Sequence, residues 1–119
     1  MDEPYPDGEL EFEDTVADAI ESLPDDLRSA MSNLEIVVED EPPPGMPLLG
    51  LYEGVPLTRR SSWYAAVPPD KISIYRGPLE RLYGHDRDLL ERQIRRVVLH
   101  EIAHHFGISD ERLHELDRY

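Results

Sequence analysis

The sequence predicts an α+β domain in which a small β-sheet packs on helices and a long C-terminal helix carries a zinc-ligand pattern. Three observations predict it. Apolar residues recur at three- and four-residue steps near both ends of the chain, the period of an amphipathic helix. Between these ends lie short β-branched runs bounded by Pro, Gly and Asn, the composition of strands. The C-terminal helical stretch contains His100-Glu101-Ile102-Ala103-His104, and side chains four apart on a helix share a face. A chain of 119 residues, 39% of them hydrophobic, has the size of one domain with a modest core.

The elements follow in order. Residues 1–8 mix Pro4, Pro6 and Gly8 with acids and read as a disordered acidic tail, so a single domain is expected over 9–119. Phe12, Val16, Ala19, Ile20 and Leu23 mark a first helix that Pro24 ends. Pro24-Asp25-Asp26 opens a second, short helix, with proline and acids where a helix N-terminus favours them. Leu34-Glu35-Ile36-Val37-Val38-Glu39 is the clearest strand. Pro42, Pro43, Pro44, Gly45 and Pro47 form a stiff loop rather than a recognition motif.

A second strand is expected over 48–52, and Gly54-Val55-Pro56-Leu57 turns away from it. Residues 59–66, with Trp63 and Tyr64, read as a long loop or irregular hairpin that Pro68-Pro69-Asp70 closes. Lys71-Ile72-Ser73-Ile74-Tyr75 alternates and is a third strand. A short helix over 78–83 stops at Gly84. The longest helix spans about 86–106, with Asp86 as N-cap and Leu90, Ile94, Val97, Val98, Ile102 and Phe106 as its apolar stripe. Arg87, Arg92, Arg95 and Arg96 mark its wet side. Gly107 is a helix stop, because glycine tolerates the left-handed conformation. Ser109 or Asp110 then caps a last short helix with Leu113 and Leu116 on its apolar side.

Charge narrows the partners. The net charge is -14, and the first 41 residues hold 15 acidic side chains against Arg28 alone. The rest is balanced. An acidic chain without a basic stripe argues against nucleic acid. The N-terminus shows no signal peptide and no apolar run long enough to span a membrane, so a cytoplasmic protein without membrane partners is expected. Cysteine is absent, which excludes disulfides, thiolate metal sites and cysteine nucleophiles. Any zinc must therefore be held by nitrogen and oxygen.

His100 and His104 supply two imidazoles at the spacing that grips one Zn2+. Glu101 sits one step round the helix, where its carboxylate can take a proton from metal-bound water. A catalytic zinc takes three protein ligands and a water. Asp110 is the expected third ligand, because a helix that stops at Gly107 can turn the chain back within a few residues. His114 and Glu115 are its rivals. His105 is read as a supporting or surface residue and His85 as structural. Helices rich in Glu and His can produce this pattern without a metal, but the extension to Gly107 and Asp110 favours a site.

The stretch His100-Glu101-x-x-His104-x-x-Gly107-x-x-Asp110 resembles the extended zinc motif of the metzincin metallopeptidases, in the variant with aspartate in third place. Over about residues 10–117 the chain is similar to the small bacterial minimal zincin family, possible metallopeptidases. Leu49-Gly50-Leu51-Tyr52-Glu53-Gly54-Val55-Pro56-Leu57 and Ile72-Ser73-Ile74-Tyr75-Arg76 carry this resemblance together with the zinc motif. It implies a compact α+β zincin-like fold with a small mixed sheet, one zinc on His100, His104 and Asp110, and Glu101 as catalytic base. One departure from the wider metzincins is plain. Nine residues follow Asp110 and none is the methionine those proteins place under the metal, so the floor must come from elsewhere, with the last helix the candidate.

The expected activity is zinc-dependent hydrolysis of a peptide or protein substrate. The peptide is expected along an exposed edge of the strand at 71–75. Tyr75, Tyr83 and Tyr119 are candidate oxyanion donors. Two other classes stay open: an inactive zinc-binding domain acting through protein interaction, and a zinc-dependent endoribonuclease. The second fits less well, because Glu101 stands where those enzymes lack a glutamate.

Overall fold

A computed structural model of the chain describes residues 9–60 and 69–112. The expected tail over 1–8, the loop bearing Trp63 and Tyr64, and the apolar side of the last helix lie outside the described residues. Helix α1 spans Glu9–Glu21 and α2 spans Asp25–Ala30. Strand β1 spans Leu34–Glu39, β2 spans Gly50–Glu53 and β3 spans Asp70–Tyr75. A 3-10 turn over Leu57–Arg59 follows β2. Helix α3 covers Arg76–Tyr83 and α4 covers Arg87–His105.

The α+β expectation holds, and the sheet is mixed. Its order is β1-β3-β2, with β1 parallel and β2 antiparallel to β3. Ile36 and Tyr52 flank Ile72, and Val38 and Gly50 flank Ile74, so these residues share one face. Ile72 and Ile74 are fully buried there. They join a core with Phe12, Val16 and Ala19 of α1, Leu79 of α3, and Ile94, Val97, Val98 and Ile102 of α4. Apart from Ala19, each such side chain contributes about 1.5–3 kcal/mol by leaving water. The stripe predicted for α4 is the one buried. Asp86 is its N-cap, accepting from the Leu89 N–H at 3.2 Å.

One expectation is overturned. The strand at 71–75 has no open edge, because β3 is central and pairs on both sides. Even its polar Ser73 and Asp70 are each only 1% exposed. The open edge nearest α4 is that of β2, and glycine makes the approach possible. A Cβ on Gly50 would lie 2.7 Å from Val97 Cγ1 and 3.2 Å from Glu101 Cγ. No helix among the described residues is long and apolar enough to cross a membrane.

Candidate metal centre

The last two turns of α4 carry His100 and His104, with their rings 4.9 Å apart and nearly perpendicular. The chain then stops as Gly107 requires. Gly107 adopts φ +88°, its N–H donates to the His104 carbonyl at 2.9 Å, and Ile108 N–H donates to the Ala103 carbonyl at 3.0 Å. These two bonds are the Schellman closure, which satisfies carbonyls that a helix end leaves bare. The closure also has a chemical effect. It turns the Ile108 carbonyl toward His104, whose Nδ1 lies 2.9 Å from that oxygen. A carbonyl only accepts, so Nδ1 carries the proton and Nε2 keeps its lone pair.

Ser109 then caps a helical turn by accepting from Arg112 N–H at 3.2 Å. Asp110 is the first residue of that turn, and its carboxylate faces back toward α4. Asp110 Oδ1 lies 2.9 Å from His104 Nε2 and 3.2 Å from His100 Nε2. The three ligand atoms lie within 4.8 Å of one another. A tetrahedral zinc with bonds of about 2.0–2.1 Å holds its ligand atoms about 3.3 Å apart. Two imidazole nitrogens and a carboxylate oxygen at this separation fit such an ion. Converging lone pairs repel unless a proton or cation sits among them, so the chemistry of the set agrees with the spacing. His114 and Glu115, the rivals to Asp110, lie outside the described residues.

Glu101 points beneath β2 and is 8% exposed. Burial pushes its carboxyl above the ordinary range. His100 and His104 oppose that shift, Asp110 adds to it, and a hydrogen bond from the Tyr52 backbone also opposes it. Glu101, the histidines and Asp110 border a cavity of about 500 Å³. Its other walls are the start of β2, the 3-10 turn and Ile108. Among the expected oxyanion donors, Tyr75 is buried in β3 and does not line this cavity. Tyr83 borders an adjoining cavity, and Tyr119 lies outside the described residues.

A buried polar cluster behind α4 was not foreseen. Asp70 receives the Tyr52 hydroxyl, Val55 N–H at 3.0 Å, Arg60 Nη2 at 2.7 Å and His105 Nδ1 at 3.2 Å. His105 is therefore not a surface residue; it is fully buried. Its Nε2 accepts from Ser32 N–H at 3.3 Å, so the neutral ring with a proton on Nδ1 satisfies both partners. Burial pushes its pKa down; the hydrogen bond to Asp70 opposes that shift and the Arg60 charge adds to it. The cluster ties β3, the end of β2, the segment before residue 61 and the end of α4 into one unit.

A family model described as zincin-like metallopeptidase matches residues 31–119. Among solved structures, a conserved hypothetical protein from T. thermophilus is similar, with 26% identity and a TM-score of 0.57. The alignment covers 91% of this chain and 98% of that one. No curated protein matches.

Proposed function

Because this chain belongs to the zincin-like metallopeptidase family, we propose that it hydrolyses peptide bonds at the cavity formed by His100, Glu101, His104 and Asp110. One observation carries the reading. Three zinc-compatible ligand atoms converge within 4.8 Å, beside a buried carboxylate that the ligands themselves do not use.

His100, His104 and Asp110 would hold the ion. Zinc, when bound, supplies a Lewis acid that polarises a carbonyl and makes water nucleophilic near neutral pH. Glu101 moves the proton. Its carboxylate takes one from the attacking water and delivers it to the leaving amine nitrogen, while the Tyr52 backbone hydrogen bond steadies it. A pKa raised by burial suits a base that must also give the proton back.

The edge of β2 suits an extended substrate. Leu49 pairs with Tyr75 through a 3.0 Å bond, so in an antiparallel ladder Leu51 and Glu53 also turn toward β3. Gly50 then turns its backbone groups outward, while the Tyr52 N–H on the same edge already donates to Glu101. A peptide strand laid along that edge brings a carbonyl to the ligand set.

The test pairs metal analysis with peptide hydrolysis for the wild type and Glu101→Gln. One zinc per chain in both is expected, with turnover in the wild type only. Zinc content near zero in both refutes the metal centre. Equal turnover in both refutes Glu101 as the base.

A further inference from the structure

The cavity at the metal centre does not end there. It shares Leu48, Gly50, His100 and Glu101 with a second cavity of about 550 Å³. That one shares Pro47, Leu48 and Leu49 with a third of about 330 Å³. Leu48 borders all three. The third cavity reaches Met46 and Leu82, which are 42% and 55% exposed. Single exposed apolar residues need no explanation, but these two line one trough that leads to Glu101.

The trough is held in shape from within the protein. Arg81 grips Glu41 with two bonds of 2.8 and 3.0 Å, and Arg76 pairs with Asp40 at 2.9 Å. Gly77 N–H donates to the Asp40 carbonyl at 2.8 Å. These contacts clamp the start of the proline loop onto α3, and Pro42 and Pro47 stiffen the wall that follows. A groove whose walls are already ordered loses little entropy when it is filled.

The outward edge of β2 says what would fill it. A chain paired beside Gly50 and continued past the N-terminal end of β2 runs over Leu49, Leu48, Pro47 and Met46. Four residues of extended chain span at most about 14 Å. We propose that this trough is an extended substrate site, taking bulky apolar side chains within about four residues of the scissile bond, on one side of it only. Native proteins bury such side chains. The substrate class is therefore unfolded or flexible polypeptide carrying an apolar stretch. This deepens the peptidase reading and rests on it.

Binding is measured on zinc-loaded Glu101→Gln, which separates the trough from turnover. The probes are two fluorescent ten-residue peptides, one with a Leu/Phe stretch and a sibling with serine at those positions, read by anisotropy. The apolar peptide is expected to bind at least tenfold more tightly. Met46→Glu and Leu82→Glu, both at exposed positions, are expected to erase that advantage. Equal binding of the two peptides, or an advantage that survives both substitutions, overturns the proposal. A wild-type hydrolysis arm keeps the two readings apart. Trough-dependent binding without cleavage supports the trough and sinks the peptidase. Cleavage of both peptides at equal efficiency does the reverse.

Discussion

Asp70→Asn is expected to destabilise the protein by about 3–5 kcal/mol. The size follows from what surrounds the carboxylate. Among the described residues its four partners are donors: the Tyr52 hydroxyl, Val55 N–H, the Arg60 guanidinium and the His105 Nδ1–H. Asparagine presents one oxygen and one NH2. With its oxygen in the Oδ2 place it keeps three of these contacts, and its NH2 then opposes the Val55 N–H. A buried donor left unmatched costs about 1–3 kcal/mol. Charge adds more. The Arg60 and Asp70 side chains are 10% and 2% exposed, so asparagine leaves a guanidinium buried beside a neutral group. Removing one partner of such a pair costs about 3–5 kcal/mol, which contains the donor penalty rather than adding to it. Against a whole-domain stability of about 5–15 kcal/mol, that is a large fraction. Urea denaturation followed by circular dichroism measures it. A double-mutant cycle with Arg60→Met sharpens the assay, since removing both charges is expected to cost less than the sum of the singles. A loss below about 1 kcal/mol for Asp70→Asn, or strict additivity in the cycle, would refute the view that this cluster pins β2 and α4 together.

Three further outcomes are expected. Gly50→Ala places a methyl 2.7 Å from Val97 Cγ1, so the Val97 side chain or α4 itself must shift; about 1–3 kcal/mol of stability is lost and peptide hydrolysis falls, both readable on one purified sample. Asp110→Ala is expected to weaken zinc retention more than His114→Ala in competition with a chromophoric chelator, and the opposite ranking would move the third ligand to His114. For His105, the folded pKa lies below the ordinary 6.5, so the folded state binds fewer protons there than the unfolded chain. Its contribution is fully present above about pH 6.5 and is lost as pH falls below that value. In metal-free protein, His105→Gln is expected to flatten that acidic limb, and an unchanged slope would contradict the burial argument.

The residues that were legible share a local cause. β1 was bounded correctly because a β-branched run sits between Asn33, at φ +53°, and the proline cluster. The ends of α4 were legible because Asp86 and Gly107 act through bonds to neighbours a few positions away. Strand order was not legible, because β3 takes its central place by pairing with residues 34–39 and 50–53, which no local pattern encodes. Asp70 followed two prolines and read as the close of a loop. Its partners come from positions 52, 55, 60 and 105, and nothing in the local pattern announces them. His105 is different, since its burial could have been found. It stands seven after Val98 and three after Ile102, on the same buried side of the helix.

That placement bears on how the candidate site is held in shape. The candidate ligands are oriented by the backbone of the helix stop. The closure at Gly107 aims the Ile108 carbonyl at His104 Nδ1, which leaves Nε2 free, and the same three residues deliver Asp110 to face it. The 3-10 turn packs so closely on Gly107 that a Cβ there would lie 2.4 Å from Thr58 Oγ1. Just beyond that turn, Arg60 is held by Asp70, which also holds His105, the residue after His104. Support for the candidate site thus arrives through the chain neighbours of His104 and Asp110. It follows that Gly107→Ala should damage metal retention as well as stability, because φ +88° and the Thr58 contact both oppose a methyl at that position. A variant that lost stability yet kept its zinc affinity would show that the ligand geometry has another source.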